Sequence, residues 1–396
     1  MIAEQDLQRQ QAIALLQEAV RCDTVNGSGE EIALARILER HISSVGILVQ
    51  VKDYGLGHAN LLATIQGDID GPTVVLSGHL DTVPLGNSEW DFAPFGAEIH
   101  EGRMYGRGTA DMKGGLIALL MAFFRIAEQP ASARRGTLHF AATFGEEIGA
   151  KGALAMVGDG TLAAFDAMII AEPTANRIVV AHKGVLWLRV EAFGRTAHAS
   201  MPHFGVNAVD LLQDFSNRMT NTALPDSTAN AFLSEATRTV TMFNGGQQVN
   251  VIPDHATMMI DIRTRPDHSH SDIIADLRAV AEIACAAFGE GEIRITTVTN
   301  LPAVQTNPDA QIISIARRVV GMRLPDGERI SGANYFTDGS AFVAVGGDIL
   351  VLGPGLPEQA HQTNECIVVN DYLESIEIYS KILEEMIVRN DGEHVA

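Results

Sequence analysis

The sequence of 396 residues predicts an α/β protein in which a mixed, largely parallel sheet flanked by helices is interrupted by an inserted α+β domain. In the first half, short and nearly continuous apolar strands alternate with helices, which is typical of a parallel sheet buried on both faces. From about residue 180 the strands alternate apolar and polar residues instead, which indicates a sheet with one wet face. The first pattern then resumes. We therefore expect a discontinuous main domain, residues 1–179 and 299–396, and an inserted domain, residues 180–298.

The main domain begins with an amphipathic helix that carries Ile13, Leu16 and Val20 on one stripe. Ser28, followed three residues later by Glu31, is typical of a capping box and predicts the start of a second helix. The remaining elements are expected as strands 60–65 and 73–77, helix 116–128, strands 137–144 and 166–171, helix 310–320 and strand 348–352. Because hydrophobic residues make up 46% of the chain and charged residues 19%, a sizeable core is expected.

The inserted domain is expected as strand 185–193, helix 206–219, strands 237–243 and 256–263, helix 271–288 and strand 292–298. This β-α-β-β-α-β order is that of the ferredoxin-like unit. Its alternating strands predict one face packed on helices and one face open to solvent. This difference from the first half is why we expect a separate domain rather than a continuation of the main sheet.

Composition and charge exclude several classes of function. The chain has 28 Lys and Arg against 49 Asp and Glu, a net charge of −21, which would repel nucleic acids and anionic membranes. Cys22, Cys285 and Cys366 are scattered, so neither a disulfide framework nor a thiolate zinc site is expected. There is no apolar run of about 20 residues and no basic segment typical of a signal peptide at the start. A cytoplasmic protein is therefore expected.

Acidic and histidine side chains follow three strands of the main domain, at the point where each strand ends. Ligand sites in parallel sheets form outside these carboxyl ends. The side chains expected at this edge are His79, Asp81, Glu146, Glu147 and Glu172. Asp111 precedes the helix at 116–128, where the helix N-terminus favours an anion.

So many carboxylates at one edge would repel each other unless positive charge lies between them. A pair of divalent metal ions would supply that charge, and His, Asp and Glu ligands suit zinc, or cobalt or manganese. His361, which follows strand 348–352, is the best candidate for a second histidine ligand. Gly106–Asp111 is similar to a truncated nucleotide-binding glycine motif, which would suggest an oxidoreductase, but the third glycine is missing.

Several motifs resemble one family of enzymes: SGHLDTVP (77–84), YGRGTADMKGG (105–115), FGEEIGAKGA (144–153), AEPT (171–174), AHKG (181–184) and LGPG…AHQTNE (352–365). They resemble the zinc-dependent exopeptidase and amidohydrolase family, which includes acetylornithine deacetylase, succinyl-diaminopimelate desuccinylase and glutamate carboxypeptidase. The similarity runs in order over nearly the whole chain. It is specific for the family and much less specific for the substrate.

The resemblance implies roles for the residues at the strand ends. One metal ion would be held by His79, Asp111 and Glu172, and the other by Asp111, Glu147 and His361, with Asp111 as the bridge. It also implies a cis peptide bond after Asp111, with Glu146 as the general base and Glu147 as the ligand. The residues alone do not order these two glutamates.

Further roles concern residues beside these ligands and in the insert. Asp81 lies two residues from His79, and we expect it to accept a hydrogen bond from that ring. The resemblance selects His198 to stabilise the oxyanion, although His203 is an equal rival on the residues alone. It also implies a homodimer through residues 180–298, which would act as a lid and dimerisation domain.

The resemblance implies dinuclear metal-dependent hydrolysis of the amide bond of an N-acyl amino acid. Asn250 and Arg263 are the expected readers of a substrate carboxylate, for which Arg offers a bidentate fork. A strand-face pairing of Arg263 with a neighbouring acid has comparable weight. The alternatives are a carboxypeptidase or dipeptidase of the same family and, in another class, a metal-binding scaffold without turnover.

Overall fold

The computed structural model describes residues 2–27, 29–224 and 230–389, with only the backbone for residues 2–5. The chain divides into two compact units. Unit 1 contains the residues up to Ala181, Gln305–Gly332 and the residues from Thr337 onward. Unit 2 contains His182–Val304 and a short return, Ala333–Phe336. The second unit therefore extends beyond the predicted boundary at 298 and includes a short return that the sequence pattern does not predict.

The described helices are α1 Ile2–Arg21, α2 Glu31–Ser44, α3 Gly114–Glu128, α4 Lys151–Gly158, α5 Ala208–Asn221, α6 His270–Phe288, α7 Gln311–Arg323, α8 Gly339–Phe342 and α9 Val369–Ile387. The described strands are β1 Val49–Gly55, β2 His58–Gln66, β3 Ile69–His79, β4 Glu98–His100, β5 Arg103–Tyr105, β6 Arg135–Thr143, β7 Ala167–Ile170, β8 Ile178–His182, β9 Gly184–Phe193, β10 Thr237–Gly245, β11 His255–Thr264, β12 Glu292–Leu301, β13 Val304–Gln305, β14 Ile330–Ala333, β15 Asp348–Val351 and β16 Cys366–Val368. None of the described helices is both long and apolar enough to cross a membrane.

The main sheet has the strand order β1-β2-β6-β3-β7-β15-β8-β13, with β14 beside β8. Its centre is parallel, because β6, β3, β7 and β15 run in one direction. Antiparallel pairs flank this centre on the β2 side and at β8. The apolar run Val74–Leu76 of β3 is fully buried, as expected for a strand covered on both faces. The predicted mixed, largely parallel sheet is therefore confirmed.

The carboxyl ends of the parallel strands meet at one edge of this sheet. His79 at the end of β3 is aligned with Thr143 at the end of β6. Ser77 of β3 is aligned with Ile170, the last residue of β7, which in turn is aligned with Val351 at the end of β15. The residues that follow these strands therefore come together, although they are far apart in the sequence.

Unit 2 contains a separate antiparallel sheet with the order β10-β11-β9-β12. Helices α5 and α6 pack on its buried face. Side chains of β11 alternate between buried and partly exposed positions along the whole strand. The core contains Leu188 and Ile260 from the sheet, with Phe215 and Leu277 from the two helices. The order and the packing are those of the predicted ferredoxin-like unit.

Some local predictions differ from the structure. Helix α2 begins at Glu31 with Glu30 as its N-cap, and no side chain caps it. Ser28, the predicted capping residue, lies outside the described residues. Helix α9 had not been predicted, although it buries a stripe of apolar and aromatic residues that includes Tyr372, Ile376 and Leu383. That stripe has helical spacing in the sequence and could have identified the helix.

Candidate active site

His79 lies at the end of β3 with its imidazole ring fully buried. Its Nδ1 lies 2.9 Å from the backbone carbonyl oxygen of Asp81. Because a carbonyl can only accept, Nδ1 carries the proton and Nε2 keeps its lone pair in the neutral ring. Nε2 lies 3.1 Å from Oδ1 of Asp111 and 3.8 Å from Oε1 of Glu172. The ring is thus oriented as a metal-binding histidine requires.

Asp111 lies between two histidines. Its Oδ1 faces His79, whereas its Oδ2 lies 3.3 Å from Nε2 of His361. The same His361 nitrogen is 2.9 Å from Oε1 of Glu147. The peptide bond between Asp111 and Met112 is cis, as the family resemblance predicts. The two oxygens of one carboxylate therefore point in the two directions that a bridging ligand needs.

The five residues predicted as metal ligands thus lie within one small region of unit 1. Ligand atoms of His79, Asp111 and Glu147 all lie within 4.8 Å of one another, and the same holds for His79, Glu146 and Glu172. Glu146 belongs to the second group although it was predicted as the base. Its Oε1 is buried and, among the described residues, has no hydrogen-bond partner.

The pKa values in this region indicate a shortage of positive charge. Burial, followed by the negative charge of Glu172, raises the pKa of Glu146 well above its ordinary value. Burial likewise raises the pKa of Glu172 well above the ordinary value, and Asp111 and Glu147 add to the effect. A divalent cation among these oxygens would remove the repulsion. Carboxylate oxygens together with imidazole nitrogens form a donor set that fits zinc, cobalt or manganese.

Asp111 and His361 shift each other's pKa values in opposite directions. Burial by itself would raise the pKa of Asp111, but hydrogen bonds with His361 and His79 outweigh it and lower that pKa. Hydrogen bonds to Asp111 and Glu147 raise the pKa of His361 to about 10, because the carboxylates attract its positive form. The side chain of His361 is 52% exposed, so this side of the cluster is open to solvent.

Asp81 contacts His79 in a different way from the prediction. Its backbone carbonyl accepts the hydrogen bond from Nδ1, whereas its Oδ1 lies 3.6 Å from that nitrogen. The carboxylate instead accepts the backbone N–H of Glu146 at 3.0 Å and that of Glu147 at 3.2 Å. It also accepts a hydrogen bond from the side chain of Asn26. The fully buried Asp81 side chain therefore holds the turn that carries both glutamates.

Glu365 is a residue that the sequence reasoning missed. Its fully buried carboxylate accepts the backbone N–H groups of Gly108, Ala110 and Asp111 at 2.8–3.0 Å. It also pairs with the guanidinium of Arg107 at 2.7 Å. Arg107 is 1% exposed and lies 5.2 Å from the ring of Trp90. This single side chain therefore fixes the loop that presents Asp111.

Asp338 is a second missed residue in unit 1. It is buried and accepts a hydrogen bond of 2.5 Å from Thr143, the last residue of β6. Burial raises the pKa of Asp338 to about 7. The residue precedes the short helix α8 rather than following a strand. The rule that placed the other carboxylates at strand ends could not identify it.

His198 and Asn250 lie close together in unit 2. The backbone N–H of Ala199 donates to the carbonyl oxygen of Asn250 at 3.0 Å, and the backbones of His198 and Val251 form an isolated antiparallel β-bridge. Nδ1 of His198 accepts the backbone N–H of Ser200 at 3.1 Å. In the neutral ring the proton is therefore on Nε2, which leaves an exposed donor. The rival His203 lies in a short helical turn, 202–204, and its ring packs against Phe204.

Arg263 is already paired with an acid on its own strand. Its Nε and Nη2 donate to the two carboxylate oxygens of Asp261 at 2.8 and 3.0 Å. Asp261 is also held by the indole N–H of Trp187 at 2.9 Å, and the guanidinium lies 5.7 Å from the ring of Phe336. This is the alternative that the sequence left open for Arg263. Its role towards a substrate stays a prediction.

Comparison with known proteins gives a consistent result. A family model described as "Peptidase family M20/M25/M40" matches residues 75–385. A curated relative from Staphylococcus epidermidis, named "Probable succinyl-diaminopimelate desuccinylase", is 32% identical, with 96% of this chain and 98% of the relative covered.

Solved structures share the fold. A tripeptidase from Staphylococcus aureus has a TM-score of 0.76 at 23% identity, covering 96% of this chain and 98% of that one. A Bacillus subtilis protein, described as a dinuclear metal binding peptidase from the M20 family, has a TM-score of 0.70 at 17% identity, with 96% and 98% covered.

Proposed function

The chain belongs to peptidase family M20/M25/M40, which makes it a hydrolase of amide bonds, and we propose that it cleaves N-acyl amino acids with two divalent metal ions. The observation that carries this proposal is the position of Asp111, whose two oxygens face two different histidines. The buried, unpartnered oxygen of Glu146 beside that cluster supports a catalytic rather than a purely structural site.

We assign one ion to His79, Asp111 and Glu172 and the other to Asp111, Glu147 and His361. The short distances from Asp111 to both histidines support this division. When bound, divalent ions supply Lewis-acid polarisation of a carbonyl and make water more acidic. Zinc is the first choice because two histidines contribute to the donor set. The description of the Bacillus subtilis neighbour as a dinuclear metal binding peptidase supports the number of ions.

Glu146 would act as the general base. Asp81 holds the backbone N–H of Glu146, so the turn is fixed while the unpartnered oxygen is free to accept a proton. The carboxylate would take the proton from the attacking water and then deliver it to the nitrogen of the leaving amine. This assignment leaves Glu147, whose Oε1 is 2.9 Å from His361, as the ligand.

His198 would donate a hydrogen bond from Nε2 to the negative charge that develops on the carbonyl oxygen. The hydrogen bond from Ser200 to Nδ1 supports this tautomer. We further propose that Asn250 and Arg263 bind the substrate carboxylate. That carboxylate would have to displace Asp261 from the guanidinium of Arg263 or share the guanidinium with it.

We also propose that the protein is a homodimer formed through unit 2, with this unit as the lid. Strand β10 lies at one end of its sheet and exposes Met242 and Phe243. An exposed edge strand with apolar side chains can pair with a second copy. Analytical ultracentrifugation would test this, because a monomer at micromolar concentration would contradict it.

The substrate class rests on the comparisons. The relative named as a probable desuccinylase matches this chain over 98% of its own length, which supports a deacylase. The neighbour described as a tripeptidase shares the fold and keeps an exopeptidase as the second candidate. A panel of N-acetyl, N-succinyl and dipeptide substrates, read by release of free amine from zinc-loaded protein, would separate the two. Release from none of them would support the scaffold without turnover. A cytoplasmic location stays a prediction.

The roles of the paired glutamates are tested by two matched substitutions. Glu146→Gln should keep the bound zinc while kcat falls by about 10²–10⁴-fold, because the proton acceptor is lost. Glu147→Gln should lower the zinc content, measured by mass spectrometry of the purified protein. If Glu146→Gln loses metal and keeps turnover per bound ion, the two roles are reversed. If neither variant alters metal content or rate, the proposed site is wrong.

A further inference from the structure

Unit 2 contains a cavity of about 470 Å³ that the proposed reaction does not use. It lies where the end of α5 meets the start of β10 and the loop that follows β11. Its described lining residues are Met219, Thr220, Thr222, Ala223, Leu224, Glu235, Ala236, Arg238, Val240, Arg265 and His268. None of the residues assigned to the hydrolase is among them. The lining includes two arginines, a histidine and an acid, which gives the cavity a polar character.

Arg265 lines this cavity and carries a buried donor. The residue is 8% exposed, yet among the described residues its Nε–H has no hydrogen-bond acceptor. Oδ1 of Asp267 lies 3.8 Å from Nε, which is beyond hydrogen-bond distance. A buried guanidinium N–H without an acceptor is unfavourable, so an acceptor from outside the chain would be stabilising.

His268 also lines the cavity and carries a second buried donor. Its Nδ1 accepts the backbone N–H of Arg265 at 3.2 Å, so in the neutral ring the proton lies on Nε2. Nε2 is itself buried and, within the part of the chain that the structure describes, has no partner. The turn from Arg265 to His268 thus provides two unused N–H groups on residues that line one cavity.

The surrounding charges favour an anion. Arg238 donates through Nη2 to the backbone carbonyls of Met219 and Thr222, and so covers the negative end of α5. Burial lowers the pKa of Lys183, and the positive charges of Arg265 and Arg263 lower it further. The lining acid, Glu235, is exposed. Asp267, which lies 3.8 Å from Nε of Arg265, is exposed as well. The buried charge of the lining is therefore the positive charge of Arg265.

We propose that this cavity binds a small oxyanion, a phosphate-like group or a carboxylate, through the Nε–H of Arg265 and the Nε2–H of His268. A metal cation is a poor fit because the unused groups are donors. An apolar ligand would leave both donors unsatisfied. An anion accepts from both and neutralises part of the local positive charge.

The test is calorimetric titration of the full-length, zinc-loaded protein with sodium sulfate and, separately, with sodium acetate. Sodium chloride keeps the ionic strength constant. Arg265→Met removes the first donor, and His268→Asn removes the second donor while keeping an acceptor near the backbone N–H of residue 265. Arg294→Met is the matched control, because Arg294 is an exposed arginine of the same unit that pairs with Glu292. Circular dichroism checks that each variant folds.

We expect saturable binding of sulfate or acetate whose dissociation constant rises at least about tenfold in Arg265→Met and in His268→Asn, and less than about twofold in Arg294→Met. Tighter binding of sulfate would identify a phosphate-like group as the ligand, and tighter binding of acetate a carboxylate. The proposal is overturned if neither anion binds, or if folded His268→Asn and Arg294→Met bind as the unchanged protein does. Because hydrolysis is not the readout, failure here leaves the proposed enzyme activity unaffected.

Discussion

Glu365 offers the sharpest test of how the active-site loop is held. Glu365→Ala would remove the acceptor of three backbone N–H groups and leave Arg107, which is 1% exposed, without its carboxylate. Breaking a buried ion pair by removing one partner costs about 3–5 kcal/mol. The whole free energy of unfolding of a domain is about 5–15 kcal/mol, so we expect a loss of this size to lower Tm by roughly 10 °C.

The assay is urea unfolding followed by the fluorescence of Trp90, whose ring lies against Arg107. The chain has 2 tryptophans, and a Trp187→Phe background leaves Trp90 as the only fluorescent indole. The matched control is Glu374→Ala, which breaks the partly exposed pair of Glu374 with Arg323. Such pairs contribute about 0–1 kcal/mol.

A second readout connects the contacts of Glu365 to the metal site. The backbone N–H of Asp111 donates to Glu365 at 3.0 Å, so a loosened loop should lower zinc affinity by about 10–100-fold. Zinc titration against a competing chelator measures this at a temperature where the variant is folded. The reasoning would be refuted if Glu365→Ala cost no more than Glu374→Ala and left zinc affinity unchanged.

Three further predictions concern the metal ions and their neighbours. Zinc at about 100 times its dissociation constant should stabilise the protein by about 2.7 kcal/mol for each ion bound, because it binds the folded protein, where the carboxylates lie together, and not the unfolded chain. Scanning calorimetry with and without a chelator would show a higher Tm with zinc, and an unchanged Tm would contradict the site. Asp81→Asn should lower kcat by about 10–100-fold, because Glu146 and Glu147 donate to different oxygens of the carboxylate and the amide replaces one of them with an NH2 donor. An Asp81→Asn protein with normal kcat would show that the turn is held by other contacts. Arg263→Gln should raise KM for a substrate with a free carboxylate but not for its amide analogue; equal KM changes would indicate that Arg263 only pairs with Asp261.

Local sequence patterns are enough to predict which chemistry is present and at which edge of the sheet it lies. Strand ends are local features: an apolar run stops, and His79, Glu146 or Glu172 follows it. Because parallel strands share one carboxyl edge, this local information is enough to predict that the side chains meet. The change from continuous to alternating apolar residues likewise predicted the ferredoxin-like unit, because burial on one face imposes a period of two residues along a strand.

The partner of each polar group, in contrast, depends on contacts between segments that are distant in the sequence. Glu365 accepts hydrogen bonds from a loop more than 250 positions earlier in the chain. The Asp81 carboxylate holds the glutamate turn rather than the His79 ring, and Arg263 is paired with Asp261. A sequence shows what a side chain can donate or accept, but hydrogen bonds act over about 3 Å, so the partner is selected by packing that brings distant segments into contact.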